Sequence, residues 1–213
     1  MTDQAAPRAD PRATSGPFHD LITEMRRCKE ARTCPSLTSR SYYFEPNPAT
    51  AEQWQEEGVY ISGIDPRVVF VCESPGPQIP SKDDAEPLRC WAERWRDERF
   101  RQARKEHGFI DCYITNTVKC GPRSRGRHTE HELTSCRGFL VRELELIEPL
   151  VAVGVGGNAY RTLRQDVLPR LRRPPVSFQI THYSARRDVC SKWGREFAEL
   201  KRVLESLKPK SEW

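Results

Sequence analysis

The chain of 213 residues lacks any long hydrophobic run. No stretch approaches the roughly 18 consecutive apolar residues that a membrane-spanning helix needs. Its first 17 residues contain Pro, Ala and Arg but not the apolar core of a secretory signal peptide. We therefore expect a protein that does not contact membranes and that resides in the cytoplasm.

Hydrophobic residues are also scarce, at 37%, whereas charged residues reach 31%. This length and composition predict a disordered tail over residues 1–17 and a single domain over residues 18–213. The net charge of +5 is modest, and 30 acidic residues exclude a histone-like polycation. Arginines nevertheless concentrate in three segments, which indicates a polyanionic partner. They are Arg123, Arg125 and Arg127; Arg170, Arg172 and Arg173; and Arg186 with Arg187.

Eight cysteines are present, which is many for a cytoplasmic protein. A reducing compartment disfavours structural disulfides, so clustered thiols there point to a metal or iron–sulfur site. Some of the eight can equally be small buried hydrophobic residues. Composition alone leaves both interpretations open.

Four short apolar runs are separated by longer helical patterns. Each run is too short for a helix and is predicted to be a strand that is buried on both faces. The alternation predicts a three-layer α/β/α sandwich with a central four-stranded parallel sheet. The predicted strands cover 67–72, 112–116, 150–155 and 176–181; the predicted helices begin near Phe18 and then cover 84–106, 129–147, 157–168 and 191–207.

Ligands of open parallel sheets bind at the carboxyl ends of the strands, and all four predicted ends carry a polar or glycine-rich turn, that of the third strand being Gly154 to Asn158. Asn116 has an amide that can pair with the edge of a pyrimidine, although it can also be a turn residue. His182 follows the last strand, where a structural role is equally open. The sequence ESPG at 73–76 lets backbone N–H groups approach a ligand, or forms an ordinary turn.

Several motifs together resemble the iron–sulfur uracil-DNA glycosylases, family 4 and its close relatives. They are VVFVCESPG, YITNTVKCGP, IEPLVAVGVGGNAYRTL and ITHYSA, and they follow in the family's order over about residues 18–205. The most specific part is Asn-x3-Cys-x15-Cys, which runs from Asn116 through Cys120 to Cys136.

The resemblance implies a [4Fe–4S] cluster held by four thiolates. Its ligands would be Cys28, Cys34, Cys120 and Cys136. The family has two residues between its first two ligands, whereas five separate Cys28 from Cys34 here. The cluster is expected to be structural, because glycosidic hydrolysis needs no electron transfer.

The resemblance also implies roles for individual residues in base recognition and catalysis. Asn116 would read the uracil edge, Trp91 or, as second choice, Trp95 would stack on the base unless both are core residues of their helix, and His182 would stabilise the departing anion. Backbone groups of Glu73 and Ser74 would help to bind the base. Cys72 stands at the base site where the family has glycine, and Tyr183 stands where it has proline.

The remaining implied contacts are to DNA. Ser74, Gly76 and Ser184 would grip phosphates, with arginines of two loops on the backbone: Arg123, Arg125, Arg127, Arg186 and Arg187. The segment from Tyr183 to Arg187 would enter the space that the flipped nucleotide vacates.

These expectations describe a monomeric, nucleoid-associated glycosylase that acts on uracil-containing DNA. The alternative is a protein of the same fold that binds uracil or abasic DNA without catalysis, or that captures the abasic sugar covalently.

Overall fold

The computed structural model describes residues 20, 21, 24, 65–74, 95–109, 112–119, 130–185 and 188–207. Within these ranges strands alternate with helices, as the apolar runs predicted. Asp20, Leu21 and Glu24 are helical and belong to the first predicted helix. The other elements are β1 (Asp65–Cys72), α1 (Trp95–Glu106), β2 (Cys112–Asn116), α2 (Glu130–Ile147), β3 (Val151–Val155), α3 (Gly157–Thr162), β4 (Val176–Ile180) and α4 (Val189–Ser206).

The four described strands form one parallel sheet in the order β2-β1-β3-β4. β1 pairs with β2 on one side and with β3 on the other, while β4 pairs with β3. β2 and β3 are buried along their whole length; β3 is an apolar run, whereas β2 also buries the polar residues Thr115 and Asn116. The predicted parallel sheet is therefore confirmed.

The prediction that the fourth strand is buried on both faces is wrong. In β4 only Ile180 is buried, and Val176 is 42% exposed. Ser177 and Gln179 alternate with Phe178 and Ile180, which is the pattern of a strand with one covered face. The alternation of polar and apolar residues in β4, rather than its apolar content, indicated a strand with one exposed face.

Helices cover both faces of the sheet, which confirms the three layers. One face packs against α2 and the segment after α3, through residues such as Leu140, Leu144 and Leu163. The other face packs against α1 and α4, through Phe100 and Trp193. Because side chains alternate along a strand, neighbouring residues of β2 enter opposite cores.

Two helices differ from their predicted extents. The helix predicted over 157–168 is α-helical only to Thr162; it continues as a π-helical turn, Leu163–Val167, and a 3-10 turn, Leu168–Arg170. The wider turn keeps Leu163, Val167 and Leu168 all buried against the sheet. α4 begins two residues earlier than predicted, at Val189.

Of the helices in the described ranges, none combines the length and the apolar character that crossing a bilayer requires.

Candidate active site

The strand order places a crevice between the carboxyl ends of β1 and β3. The chain moves from β1 to β2 on one side of the sheet and then to β3 on the other, so this is the point at which the topology switches direction. The residues that follow β1 and β3 meet here, because Asn158 Nδ2 donates to Glu73 Oε1 at 3.1 Å. A polar cavity of about 610 Å³ adjoins them, with Arg161 also in its wall.

Asn116 ends β2 next to this crevice and is fully buried. It pairs in register with Cys72, the last residue of β1, which is also fully buried. Pairing continues past both strands, because the N–H groups of Thr117 and Val118 donate to the carbonyls of Cys72 and Glu73 at 2.8 and 2.9 Å. The Asn116 amide is therefore held on a rigid, hydrogen-bonded part of the sheet.

The same pairing orients the turn that follows β1. The Glu73 carbonyl accepts from the Val118 N–H and from Thr117 Oγ1, at 2.9 and 2.6 Å. In a trans peptide the carbonyl and the following N–H point in opposite directions. The Ser74 N–H therefore points away from β2, as an N–H that binds a ligand in the crevice must.

His182 lies just after β4, at the same edge of the sheet. Its Nδ1 accepts the backbone N–H of Ser184 at 3.1 Å and lies 2.7 Å from Ser184 Oγ. A neutral ring that accepts at Nδ1 must carry its proton at Nε2. Burial lowers the pKa of the imidazole below its usual range, and the Glu73 carboxylate only partly offsets this. His182 is thus a neutral donor through Nε2 at physiological pH.

The backbone around His182 is anchored to α4 and β3. Thr181 donates to Glu196 through its backbone N–H at 2.8 Å and through its hydroxyl at 2.6 Å. Trp193 Nε1 donates to the Thr181 carbonyl at 2.8 Å. Gly156 lies against the ring, with a φ of +90°, and a Cβ there would lie 2.9 Å from His182 Cβ.

Tyr183, the first residue of the segment that was predicted to enter the duplex, packs against other aromatic rings of the protein. Its ring stacks on His182, with the centroids 4.1 Å apart, and on the buried Phe100 at 5.8 Å. Ser184, which was predicted to bind a phosphate, is exposed but also holds His182 Nδ1. The stacking of Tyr183 on His182 restricts the plane of the imidazole.

A buried polar cluster of four residues, which sequence reasoning missed, stands behind Asn116. Glu143 of α2 is contacted by the Tyr113 hydroxyl at 2.9 Å, by Thr115 Oγ1 at 3.1 Å and by the Lys119 ammonium. Burial raises the pKa of the Tyr113 phenol well above its usual value, and Glu143 raises it further. The sequence feature that could have revealed this cluster is a glutamate in the apolar stripe of α2, between Leu140 and Ile147.

Cys136 is the predicted cluster ligand that the structure describes. It is buried in α2, and its Sγ accepts the backbone N–H of Lys119 at 3.5 Å. N–H donors to sulfur are the contacts that tune cysteine ligands of iron–sulfur clusters. This hydrogen bond joins two described residues, Lys119 and Cys136, that are 17 positions apart in the sequence. The surroundings of Cys136 therefore fit a cluster ligand, although no group of three or more metal-binding side chains occurs within the described ranges.

The other predicted site residues cannot be placed, because they lie outside the described residues. One basic segment lies within the described residues: Arg172 and Arg173 are in the loop before β4. This loop is at the amino end of the strand, whereas Asn116 and His182 are at the carboxyl ends. The predicted residues outside the described ranges are Cys28, Cys34, Gly76, Trp91, Cys120, Arg123, Arg125, Arg127, Arg186 and Arg187.

Comparison with known proteins identifies relatives of the chain. A family model described as the uracil DNA glycosylase superfamily matches residues 58–210. A protein of Thermotoga maritima named type-4 uracil-DNA glycosylase is 35% identical over 142 residues, which cover 66% of this chain and 62% of that protein. A protein of the same name from Archaeoglobus fulgidus is 35% identical over 102 residues, which cover 46% and 48% respectively. In these matches the chain spans less than two thirds of either relative.

Proposed function

Because the chain belongs to the uracil DNA glycosylase superfamily, we propose that it excises uracil from DNA by hydrolysing the N-glycosidic bond, leaving an abasic site. The observation that carries the proposal is the neutral His182, with its proton at Nε2, on the same sheet edge as the buried amide of Asn116. Binding a phosphate backbone requires neither group. Two relatives named type-4 uracil-DNA glycosylase support the proposal.

Base recognition is proposed to begin with extrusion of the uracil nucleotide from the helix, since an enzyme cannot reach the glycosidic bond inside a stack. Asn116 and His182 follow strands that are three inter-strand spacings apart, about 14 Å between backbones. We propose that a single pyrimidine binds between the two strands, within reach of both side chains. The Asn116 amide would accept from N3–H and donate to O4 of uracil, an arrangement that cytosine reverses.

Bond cleavage is proposed to depend on electrostatic stabilisation of the departing base. The uracil leaves with negative charge near O2, and the Nε2–H of His182 donates to that oxygen as charge develops. The neutral imidazole donates through its Nε2–H, and its orientation costs no reorganisation because Tyr183, Gly156 and Ser184 already hold the ring. The Ser74 N–H would add a second donor to the base.

Glu73 is proposed to act on the sugar side of the bond. As the base departs, positive charge develops on the deoxyribose, and a fixed carboxylate nearby favours that charge. Glu73 is held by Asn158 and lies near enough to His182 for its charge to raise the pKa of the imidazole. Both contacts place its negative charge at the crevice.

A [4Fe–4S] cluster is proposed to be bound by Cys28, Cys34, Cys120 and Cys136. When bound, it would supply a structural cross-link rather than chemistry. Support comes from the buried Cys136 thiol and from the Glu24–Arg142 ion pair, which joins the N-terminal helical residues to α2 at 2.7 Å. Cys28 follows Glu24 by four positions, a length of chain that spans at most about 14 Å.

Uracil release from defined oligonucleotides tests this function. Cluster-replete protein is incubated in excess over single- and double-stranded oligonucleotides that contain one uracil, and free uracil is quantified. We expect release from the uracil substrates and none from the matched thymine or cytosine controls. Binding of uracil-DNA without release, or a covalent adduct with the abasic product, would instead support the non-catalytic or capturing alternative.

A further inference from the structure

The buried cluster behind Asn116 is an unusual feature for a region that packs like a hydrophobic core. Glu143 is fully buried, and Lys119 is 3% exposed. The Lys119 ammonium contacts Glu143 and donates to Thr115 Oγ1 at 2.6 Å. The two carboxylate oxygens of Glu143 are thus shared among one ammonium and two hydroxyls, from Tyr113 and Thr115. Every charged group of the cluster has partners.

Stability alone gives little reason for such a pair. Removing two charges from water costs several kcal/mol for each ion, and the attraction between the ions rarely does more than balance that cost. Apolar side chains of similar volume commonly give equal or greater stability at buried positions. Compared with apolar packing, an ion pair with fixed hydrogen bonds restricts the two segments that it joins to one alignment.

The cluster lies where register matters for the proposed site. Lys119 is tied to α2 twice, by its backbone N–H to Cys136 and by its ammonium to Glu143. These two residues of α2 are seven apart, which puts both on one helix face about 10.5 Å from each other. The two contacts therefore fix the direction in which residues 117–119 run along α2.

The same cluster reaches the residue before Asn116. Thr115 and Asn116 are consecutive in β2, so their side chains point to opposite faces of the sheet. Thr115 is held by Lys119 and Glu143 on the α2 face, and this fixes the peptide that presents Asn116 on the other face. A slip of one residue here would carry Asn116 away from the base.

We propose that Lys119 and Glu143 are positioning residues that lock the segment 115–119 in register against α2, and thereby orient Asn116 toward the base and hold the Lys119 N–H on Cys136 Sγ. The inference rests on the proposed function for its effect on uracil release. Its effect on the contact with Cys136 does not depend on that function.

A double-mutant cycle separates positioning from stability. The variants are Lys119→Met, Glu143→Leu and the two combined, each compared with the parent in thermal midpoint, iron content, DNA affinity and single-turnover uracil release. Each single variant leaves a buried charge and is expected to lose stability. The double variant leaves none, so its thermal midpoint should return to within a few degrees of the parent.

For the double variant we expect uracil release to fall 10- to 100-fold while the Kd for DNA stays within about 2-fold. Tyr113→Phe is the matched control, because it removes one hydrogen bond from Glu143 and leaves the Lys119 contact intact; its rate should stay within about 3-fold of the parent. Parental uracil release by the stable double variant would overturn the proposal.

Two further measurements decide the matter if the double variant does not fold or if the parent releases no uracil. Thr115→Val keeps the ion pair but removes the hydroxyl that joins it to β2, and it should lower release 3- to 10-fold; a parental rate would contradict the proposal.

Should the parent itself be inactive, the proposed function fails, and the inference is judged on the iron–sulfur chromophore. An altered visible circular dichroism spectrum in the Lys119 and Glu143 variants supports it, and an unchanged spectrum with full iron overturns it.

Discussion

The two ends of the candidate site are held in place by different physics. On the β2–α2 side, Asn116 is backed by buried charges, with Glu143 and Lys119 almost without exposure. On the β4–α4 side, His182 is partly exposed, neutral, and held by a stacked tyrosine and a close glycine. A buried ion pair lies behind Asn116, whereas ring stacking and the Ser184 N–H hold the His182 ring.

This difference between the surroundings of Asn116 and His182 matches the roles proposed for the two residues. Reading a base edge requires an amide whose donor and acceptor cannot exchange places, and charged hydrogen bonds set directions strictly. The proposed donor to the developing anion is a ring that burial keeps neutral, and the nearby Glu73 carboxylate only partly offsets that effect on its pKa. The buried ion pair lies beside β2 and His182 follows β4, the two outer strands of the described sheet.

The largest expected effect is on the charged side. Glu143→Leu leaves the Lys119 ammonium buried without its counter-ion and should lower the free energy of unfolding by about 3–5 kcal/mol, measured by chemical denaturation. Arg142→Leu is the matched control, since the neighbouring residue of α2 forms an exposed ion pair with Glu24 whose loss should cost at most about 1 kcal/mol. Equal effects of the two substitutions would remove the distinction between the two sides.

A smaller effect is expected on the aromatic side. Gly156→Ala places a Cβ 2.9 Å from His182 Cβ at a φ of +90°, so the imidazole must shift. We expect uracil release to fall roughly 10- to 100-fold in folded protein, because small displacements of a catalytic group are costly. Gly157→Ala, with open space around its Cβ, should keep the parental rate. Parental activity of Gly156→Ala would mean that the close packing does not set the position of His182.

Much of the fold could be predicted from the sequence because its main signals are local. The four apolar runs and the helical patterns between them gave the parallel sheet and the three layers. The polar residues at the carboxyl ends of strands gave Asn116, His182 and the turn at Glu73. Each of these rests on a pattern within a few residues of the chain.

What the sequence did not give depends on contacts between distant residues. Glu143 lies 24 positions from Lys119, and Glu196 lies 15 from Thr181. Nothing local distinguishes Glu143 from a surface glutamate except the apolar stripe around it. The stacking of Tyr183 was not predicted, because it depends on Phe100, which lies 83 positions away in α1.

The smallest expected effect is that of pH. The lowered pKa of His182 means that the folded protein resists protonating the ring, whereas the unfolded chain protonates near pH 6.5. The neutral form therefore dominates from pH 8 down to 6.5, and the single-turnover rate should change less than about 2-fold over that range. As pH falls further, through 6.5 toward the lowered pKa, stability declines. A fall in rate centred at or above pH 6.5 in the parent would indicate that His182 is not kept neutral.

The most direct test of the account is single-turnover uracil release by Asn116→Asp and His182→Ala in cluster-replete, folded protein. The aspartate repels O4 of the base, and the alanine removes the donor to the departing anion. Each loss is worth about 2–4 kcal/mol of transition-state stabilisation, and each variant should be roughly 30- to 1000-fold slower than the parent. DNA affinity of His182→Ala should be nearly unchanged, since its contact strengthens only as charge develops. If both variants release uracil within a few-fold of the parent rate, this pocket is not the active site.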